Sequence, residues 1–257
     1  MRIANIYSHL NGLEFLLVHK REQWEQLQTA IENIDANLYT KASSDKTKKG
    51  FKLYDQKAIN KAFERELNPN GWNEMKVQYY VTGDQNVEKQ IVKIRDKEAQ
   101  KQIIEKSGNK ALTTNNQVDF VKDRIAIEVQ FGKYFSIAYD LHVKHTFFFL
   151  RDDIDVGIEI IPTRALMRKM DTGIGWYENE VANVIREGRS NPTVPIVIIG
   201  IEPEEMFTDK FYDADVERDY QQSLVDQVDF INPFNNKIIK YKPVVEDDDE
   251  NEQEANE

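Results

Sequence analysis

Residues 194–201 read VPIVIIGI, apolar at almost every position. A strand with one face in water alternates apolar with polar side chains, because successive residues point to opposite faces. A strand apolar throughout must be covered on both sides, which calls for a sheet with helices packed on each face. The rest of the chain supplies the helices. Trp24, Leu27, Ile31 and Ile34 recur every three or four residues over about 20–34, the spacing of a helix with one buried stripe. Asp55 can cap a second helix whose apolar face is Ile59, Phe63 and Leu67. Further helical patterns are expected over 85–107, 134–149, 163–170 and 174–187. Strands are expected near the N-terminus and over 75–83, 117–131 and 155–162. Strands and helices mixed in this order predict an α/β (α+β) domain, a central mixed β-sheet flanked by helices.

The chain has no cysteine, which excludes disulfides, thiolate metal sites and cysteine nucleophiles. No run approaches the roughly 18 apolar residues of a membrane span, and MRIANIYSHL lacks the zones of a secretory leader. A cytoplasmic protein is the expectation. The net charge of -11 is unevenly placed: residues 246–257, EDDDENEQEANE, hold eight acids and no base, and without them the balance is -3. A nearly neutral body can still bind DNA through a local basic groove. The absence of GxxxxGK[ST] argues against ATP-driven chemistry.

The chemistry-bearing segment is residues 115–133, NNQVDFVKDRIAIEVQFGK. Alternation puts Ile125, Ile127, Val129 and Phe131 on one face and Ala126, Glu128 and Gln130 on the other. If the strand QVDFV returns through a two-residue turn at Lys122 and Asp123, Asp119 lies opposite Ala126 and diagonal to Glu128. Diagonal neighbours of this kind, about 7–8 Å apart, can converge on one divalent cation. An Asp and a Glu on a hairpin's polar face are also common in proteins that bind nothing, so spacing alone leaves the site open.

The pattern D-x8-E-x-Q over Asp119, Glu128 and Gln130 resembles the metal-binding signature of the PD-(D/E)xK nucleases, most of which carry lysine at the last position. Glutamine there resembles the BglII/BstYI family of type II restriction endonucleases. The likeness extends through IYSHLNGLEFL (6–16), YYVTGD (79–84), residues 117–145, DVGIEIIP, NVIREGR (183–189) and VPIVIIGI, and is stronger on the BstYI side. It covers residues 1–203, which it marks as the catalytic and DNA-binding domain. Residues 204–245 then read as a C-terminal extension and 246–257 as an acidic, disordered tail.

The resemblance implies a Mg2+ site held by Asp119, Glu128 and the backbone carbonyl of Val129. Gln130 would orient water or phosphate, since an amide cannot act as a general base, and a lysine-assisted mechanism would be ruled out. Glu105 is a further candidate carboxylate from the preceding helix. The implied activity is cleavage of double-stranded DNA at a GATC-centred palindrome, RGATCY being the first expectation, with four-base 5′ overhangs and 5′-phosphate ends. A palindrome implies a homodimer, and a restriction enzyme implies a bacterial cytoplasm and a cognate DNA methyltransferase in the host. Lys133 and Thr172 are the candidate base readers; Lys46, Lys48, Lys49, Arg186 and Arg189 are candidate phosphate contacts. His142 and His145, spaced i, i+3, have no third ligand nearby and read as packing or surface residues. The rival readings are a repair nuclease of the same superfamily and a DNA-binding protein without catalysis.

Overall fold

The structure, a computed structural model, describes residues 1–45, 49–213, 215, 217 and 218. The larger of two units, Met1–Lys41 with Leu53–Thr208, is built on a six-stranded sheet. Its strands in chain order are β1 (Arg2–His9), β2 (Asn73–Val81), β3 (Leu112–Lys122), β4 (Ile125–Val129), β5 (Val156–Pro162) and β6 (Ile196–Glu202). Side by side they run β1-β6-β5-β4-β3-β2. β4, β5 and β6 are mutually parallel and the other pairs antiparallel, so the sheet is mixed as expected. The VPIVIIGI segment forms β6 between β1 and β5, and Ile196, Val197, Ile198, Ile199 and Ile201 are all buried.

The helices are α1 (Gly12–His19), α2 (Arg21–Asn33), α3 (Gln56–Leu67), α4 (Gln85–Ile91), α5 (Lys97–Lys106), α6, α7 (Arg164–Met167) and α8 (Tyr177–Glu187). α6 is one run in three parts, α-helical over Tyr134–Tyr139, a π-turn over Asp140–Lys144, and α-helical again over His145–Leu150. Leu27 and Ile31 of α2, with Ile59 and Phe63 of α3, pack on Ile125, Ile127, Val129, Ile158 and Ile160. Each such side chain, fully buried, contributes about 1.5–3 kcal/mol. Across the sheet, Ile137 and Leu141 of α6 and Val184 of α8 cover Ile161, Ile196 and Ile198. Asp55 caps α3, accepting hydrogen bonds from the Lys57 and Ala58 amides at 3.0 and 3.3 Å.

Helix α1 is not foreseen by periodicity. It starts from Asn11 in a left-handed conformation with no side-chain cap, and its Leu17 and Val18 are exposed. Gly12 is required there, because a Cβ would lie 2.8 Å from the backbone carbonyl of Ile196. On the other face of the sheet, Ala126 and Gly157 are register partners. The methyl of Ala126 and the bare backbone of Gly157 let α6 lie close to β4 and β5.

The second unit joins Ala42–Lys52 to the chain from Asp209 onward. Within it Phe51 pairs antiparallel with Phe211, their rings edge to face at 5.0 Å. The Lys52 amide donates to the Lys210 carbonyl at 2.9 Å. The lysine-rich loop therefore groups with the start of the C-terminal extension. The acidic tail, 246–257, lies outside the described residues. No helix among the described residues is long and apolar enough to cross a membrane.

Candidate active site

The β3–β4 hairpin turns at Asp123 and Arg124, with φ of 47° and 65°, and not at Lys122 and Asp123. Two successive positive φ angles make the tight turn whose twist suits antiparallel strands. The register is Lys122↔Ile125, Val121↔Ala126 and Phe120↔Ile127. The pairing ends there; continued one step, the same register would set Asp119 opposite Glu128, where a diagonal was expected. The slip is two residues, which by itself preserves strand parity.

A β-bulge refines it further. Between the pairs Asn73↔Val121 and Met75↔Val118, β2 advances two residues and β3 three. The extra residue falls at Asp119 and Phe120. Val118 and Phe120, which strict alternation would put on one side, consequently join clusters on opposite faces of the sheet. A bulge re-aims the side chain it carries. Asp119 turns toward β4, where its Oδ2 accepts the Val129 amide at 3.1 Å. It also lines an open cleft of about 450 Å³ with Val129, Asn60, Glu64 and Glu74.

Glu128 is buried on the α6 side of the sheet, in parallel register with the buried Glu159. Lys144 of the π-turn lies above it, Nζ 2.9 Å from Glu128 Oε1 and 2.7 Å from Asp140 Oδ1. Gln130 accepts the Gly132 amide at 2.9 Å and donates Nε2–H to Asp140 Oδ2 at 2.7 Å, which fixes its amide orientation and leaves one N–H unused. The lysine absent from the motif is thus matched by a lysine arriving from α6.

Burial, then the neighbouring Asp119 and Asp140, push the Glu128 carboxyl well above its ordinary range. Burial raises Asp119 too. Lys144 is pulled down by burial, but Glu128 and Asp140 outweigh that and hold it firmly charged. Asp119 and Glu128 lie close enough that each carboxyl acts on the other's charge, and two like charges that near disfavour full ionisation of both. A divalent cation would offset that repulsion. Among the described residues no group of three or more His, Cys, Asp or Glu side chains is arranged to hold a metal. A hard cation that keeps several waters needs only one or two carboxylates, and the oxygen-only set of Asp119, Glu128 and the Val129 carbonyl fits it.

Behind the site, His145 Nε2 lies 3.2 Å from Glu159 Oε2, both side chains fully buried. Burial pushes the imidazole down to about 3 and Glu159 well up, so the pair is neutral. His142 points elsewhere, 3.2 Å from Glu187, so the two histidines bond different carboxyls.

The other sequence candidates fall as follows. Glu105 is exposed on α5, whose Ile104 packs with Val87 and Ile91. The carboxylate from a preceding helix that lines the Asp119 cleft is Glu64 of α3. Its signal was the i, i+4 step from Asn60 to Glu64, polar positions beside the buried stripe of α3. Lys133 and Thr172 do come together, the lysine Nζ donating to the Thr172 carbonyl, and Lys133 pairs with Ile174 in a short bridge. Arg186, Arg189 and Lys49 are exposed. Lys46 and Lys48 lie outside the described residues.

Comparison with known proteins agrees with this architecture. The family described as restriction endonuclease BglII/BglIII matches residues 4–201. The crystal structure of restriction endonuclease BglII complexed with a DNA 16-mer superposes with a TM-score of 0.56 at 18% identity, covering 82% of this chain and 80% of that one. Free BglII gives 0.51 at 17% identity, covering 81% and 82%. No curated protein matches the chain. With a family match over residues 4–201, spanning both strands of the Asp119–Glu128 hairpin and nearly all of the sheet around it, the chain belongs to the BglII/BglIII restriction endonuclease family.

Proposed function

We propose that the protein is a Mg2+-dependent, homodimeric type II restriction endonuclease that cuts double-stranded DNA at a GATC-centred palindrome. RGATCY is the first choice of target, with four-base 5′ overhangs and 5′-phosphate ends. The observation that carries the reading is the paired carboxyls of Asp119 and Glu128, brought together by register and bulge beside a polar cleft.

Asp119, Glu128 and the Val129 carbonyl would hold the metal. Bound there, Mg2+ supplies positive charge against the phosphate and an activated water. The chain's own residues do the rest. The Val129 amide fixes the rotamer of Asp119. The free N–H of Gln130 is available to hydrogen-bond water or a phosphate oxygen, while its other groups hold it to Gly132 and Asp140. Lys133 and Thr172 share one loop contact and are suited to read base edges in the major groove. Arg186, Arg189 and the lysines 46, 48 and 49 would add salt-dependent phosphate contacts. A subunit reading one half-site meets its palindrome as a two-fold dimer.

The test is digestion of a plasmid of known sequence, followed by sequencing of the ends. Discrete fragments beginning 5′-GATC support the reading. A smear, or cutting only at junctions, points to a repair nuclease, and retarded but uncut DNA points to a binding protein. Glu128→Ala should abolish Mg2+-dependent cutting and leave DNA binding intact.

A further inference from the structure

The geometry points to Lys144 as a catalytic residue of this site, an ammonium delivered from the π-turn of α6 to the scissile phosphate in place of the lysine that Gln130 displaces from β4. The inference rests on the nuclease reading of the preceding section. Four observations carry it. Lys144 Nζ touches the Glu128 carboxylate at 2.9 Å, so the charge already sits at the reacting centre. Asp140 bonds both Lys144 and Gln130, at 2.7 Å each, which ties the ammonium to the residue whose position it would serve. Lys144 also has a way out that the two carboxyls it binds lack: its side chain is 20% exposed, against 2% for Glu128 and 1% for Asp140. An ammonium has three donors, and two are committed here, leaving one for a ligand oxygen.

The fourth observation is the backbone. Helices rarely widen to π-turns, and those that do mostly serve a site. This one spans Asp140–Lys144, both of which it directs at Glu128 and Gln130. A buried carboxylate–ammonium cluster is seldom worth its desolvation as a stabilising device alone. When Glu128 is committed elsewhere, the four-carbon stem lets Nζ shift to a neighbouring phosphate oxygen while Asp140 keeps hold of it.

The full chain with Lys144→Met and Lys144→Arg decides the matter on a duplex the parent protein cuts. Under single turnover with saturating Mg2+, K144M should cut at least about 100-fold more slowly, the scale of losing one stabilising donor, with K144R recovering much of the rate. Mn2+ binding to the DNA-free protein, read by electron paramagnetic resonance, should tighten in K144M, because the ammonium no longer competes for Glu128. If K144M is poorly folded, D140N/K144M removes the stranded carboxylate and should remain slow. A K144M rate within about threefold of the parent, less than 1 kcal/mol at the barrier, overturns the inference. So does a slow K144M with weaker Mn2+ binding, which would make Lys144 a strut for Glu128. A parent that cuts no DNA sinks the nuclease reading itself, a separate result.

Discussion

Gly157 is the point at which the sheet yields to α6, and filling it should disturb the active site from behind. A Cβ on Gly157 would stand 2.5 Å from Nδ1 and 2.7 Å from Cγ of His145, where ordinary contact begins at 3.4 Å. Ring or strand must therefore give by about 0.9 Å. The glycine's φ is not in the left-handed range, so Gly157→Ala carries no backbone strain and its cost is steric. The ring cannot swing into solvent, being fully buried against Glu159. Overpacking of this kind costs about 1–3 kcal/mol, which for a domain of this size lowers Tm by about 2–12 °C.

The damage should reach catalysis, because His145 adjoins Lys144. A retreat of that size would stretch the 2.9 Å Lys144–Glu128 bond beyond hydrogen-bonding range. Urea denaturation of G157A, H145A and the double variant, all metal-free, tests the packing directly. His145→Ala leaves a void and an unpaired Glu159, but the new methyl of G157A/H145A fits that void. The double variant should be more stable than the sum of the single effects by about 1 kcal/mol or more. Additivity within about 0.5 kcal/mol, or a G157A melt identical to the parent's, would refute the packing described here.

Two further outcomes follow from the buried charges. Above pH 6.5 His145 is neutral in both states; below it the unfolded chain takes a proton that the folded imidazole, pushed down to about 3, refuses. Stability contributed by this group is therefore lost as pH falls from 6.5 toward 3, by up to about 1.4 kcal/mol per pH unit. Denaturation midpoints across that range should show His145→Asn with a flatter acid limb than the parent; a parallel limb would place the acid sensitivity elsewhere. Glu159 acts with the opposite sign, its raised pKa costing stability as pH rises above 4.5, and both proteins share that contribution. Glu128→Gln removes a carboxyl whose raised pKa likewise costs stability above 4.5 and leaves Lys144 paired with Asp140. In metal-free buffer at pH 8 it should be more stable than the parent by about 1 kcal/mol, at the expense of cutting. A less stable E128Q would show that Glu128 is well accommodated as an anion.

What could be read from the sequence was whatever repeats. The stripe Trp24, Leu27, Ile31 forms α2 and the stripe Ile59, Phe63, Leu67 forms α3, each burying those residues as spaced. VPIVIIGI is an interior strand because nothing else buries two faces of a short apolar run. Asp119, Glu128 and Gln130 were singled out by spacing plus resemblance, and the turn between their strands falls one residue later than expected. Helix α1 escaped because its capping position is left-handed and its exposed Leu17 and Val18 blur the stripe.

Two of the features that spacing missed sit where a period breaks. One inserted residue in β3 makes the bulge that turns Asp119 toward β4. One widened turn in α6 lets Asp140 and Lys144 reach the same strand while His145 wedges over Gly157. Neither leaves a mark on a two-residue or 3.6-residue repeat, since each is a local shift of phase. The sequence did hold a cue for the second. Asp140 and Lys144 stand i, i+4 on a helix otherwise buried by Ile137, Leu141 and Phe148. A charged pair on the buried side of a helix needs a partner on the strand beneath it, because an ammonium is not left buried unpaired. The strand beneath carries Glu128. That pairing of Lys144 with Glu128 is therefore written in the sequence as a charge on the covering helix above a charge on the strand.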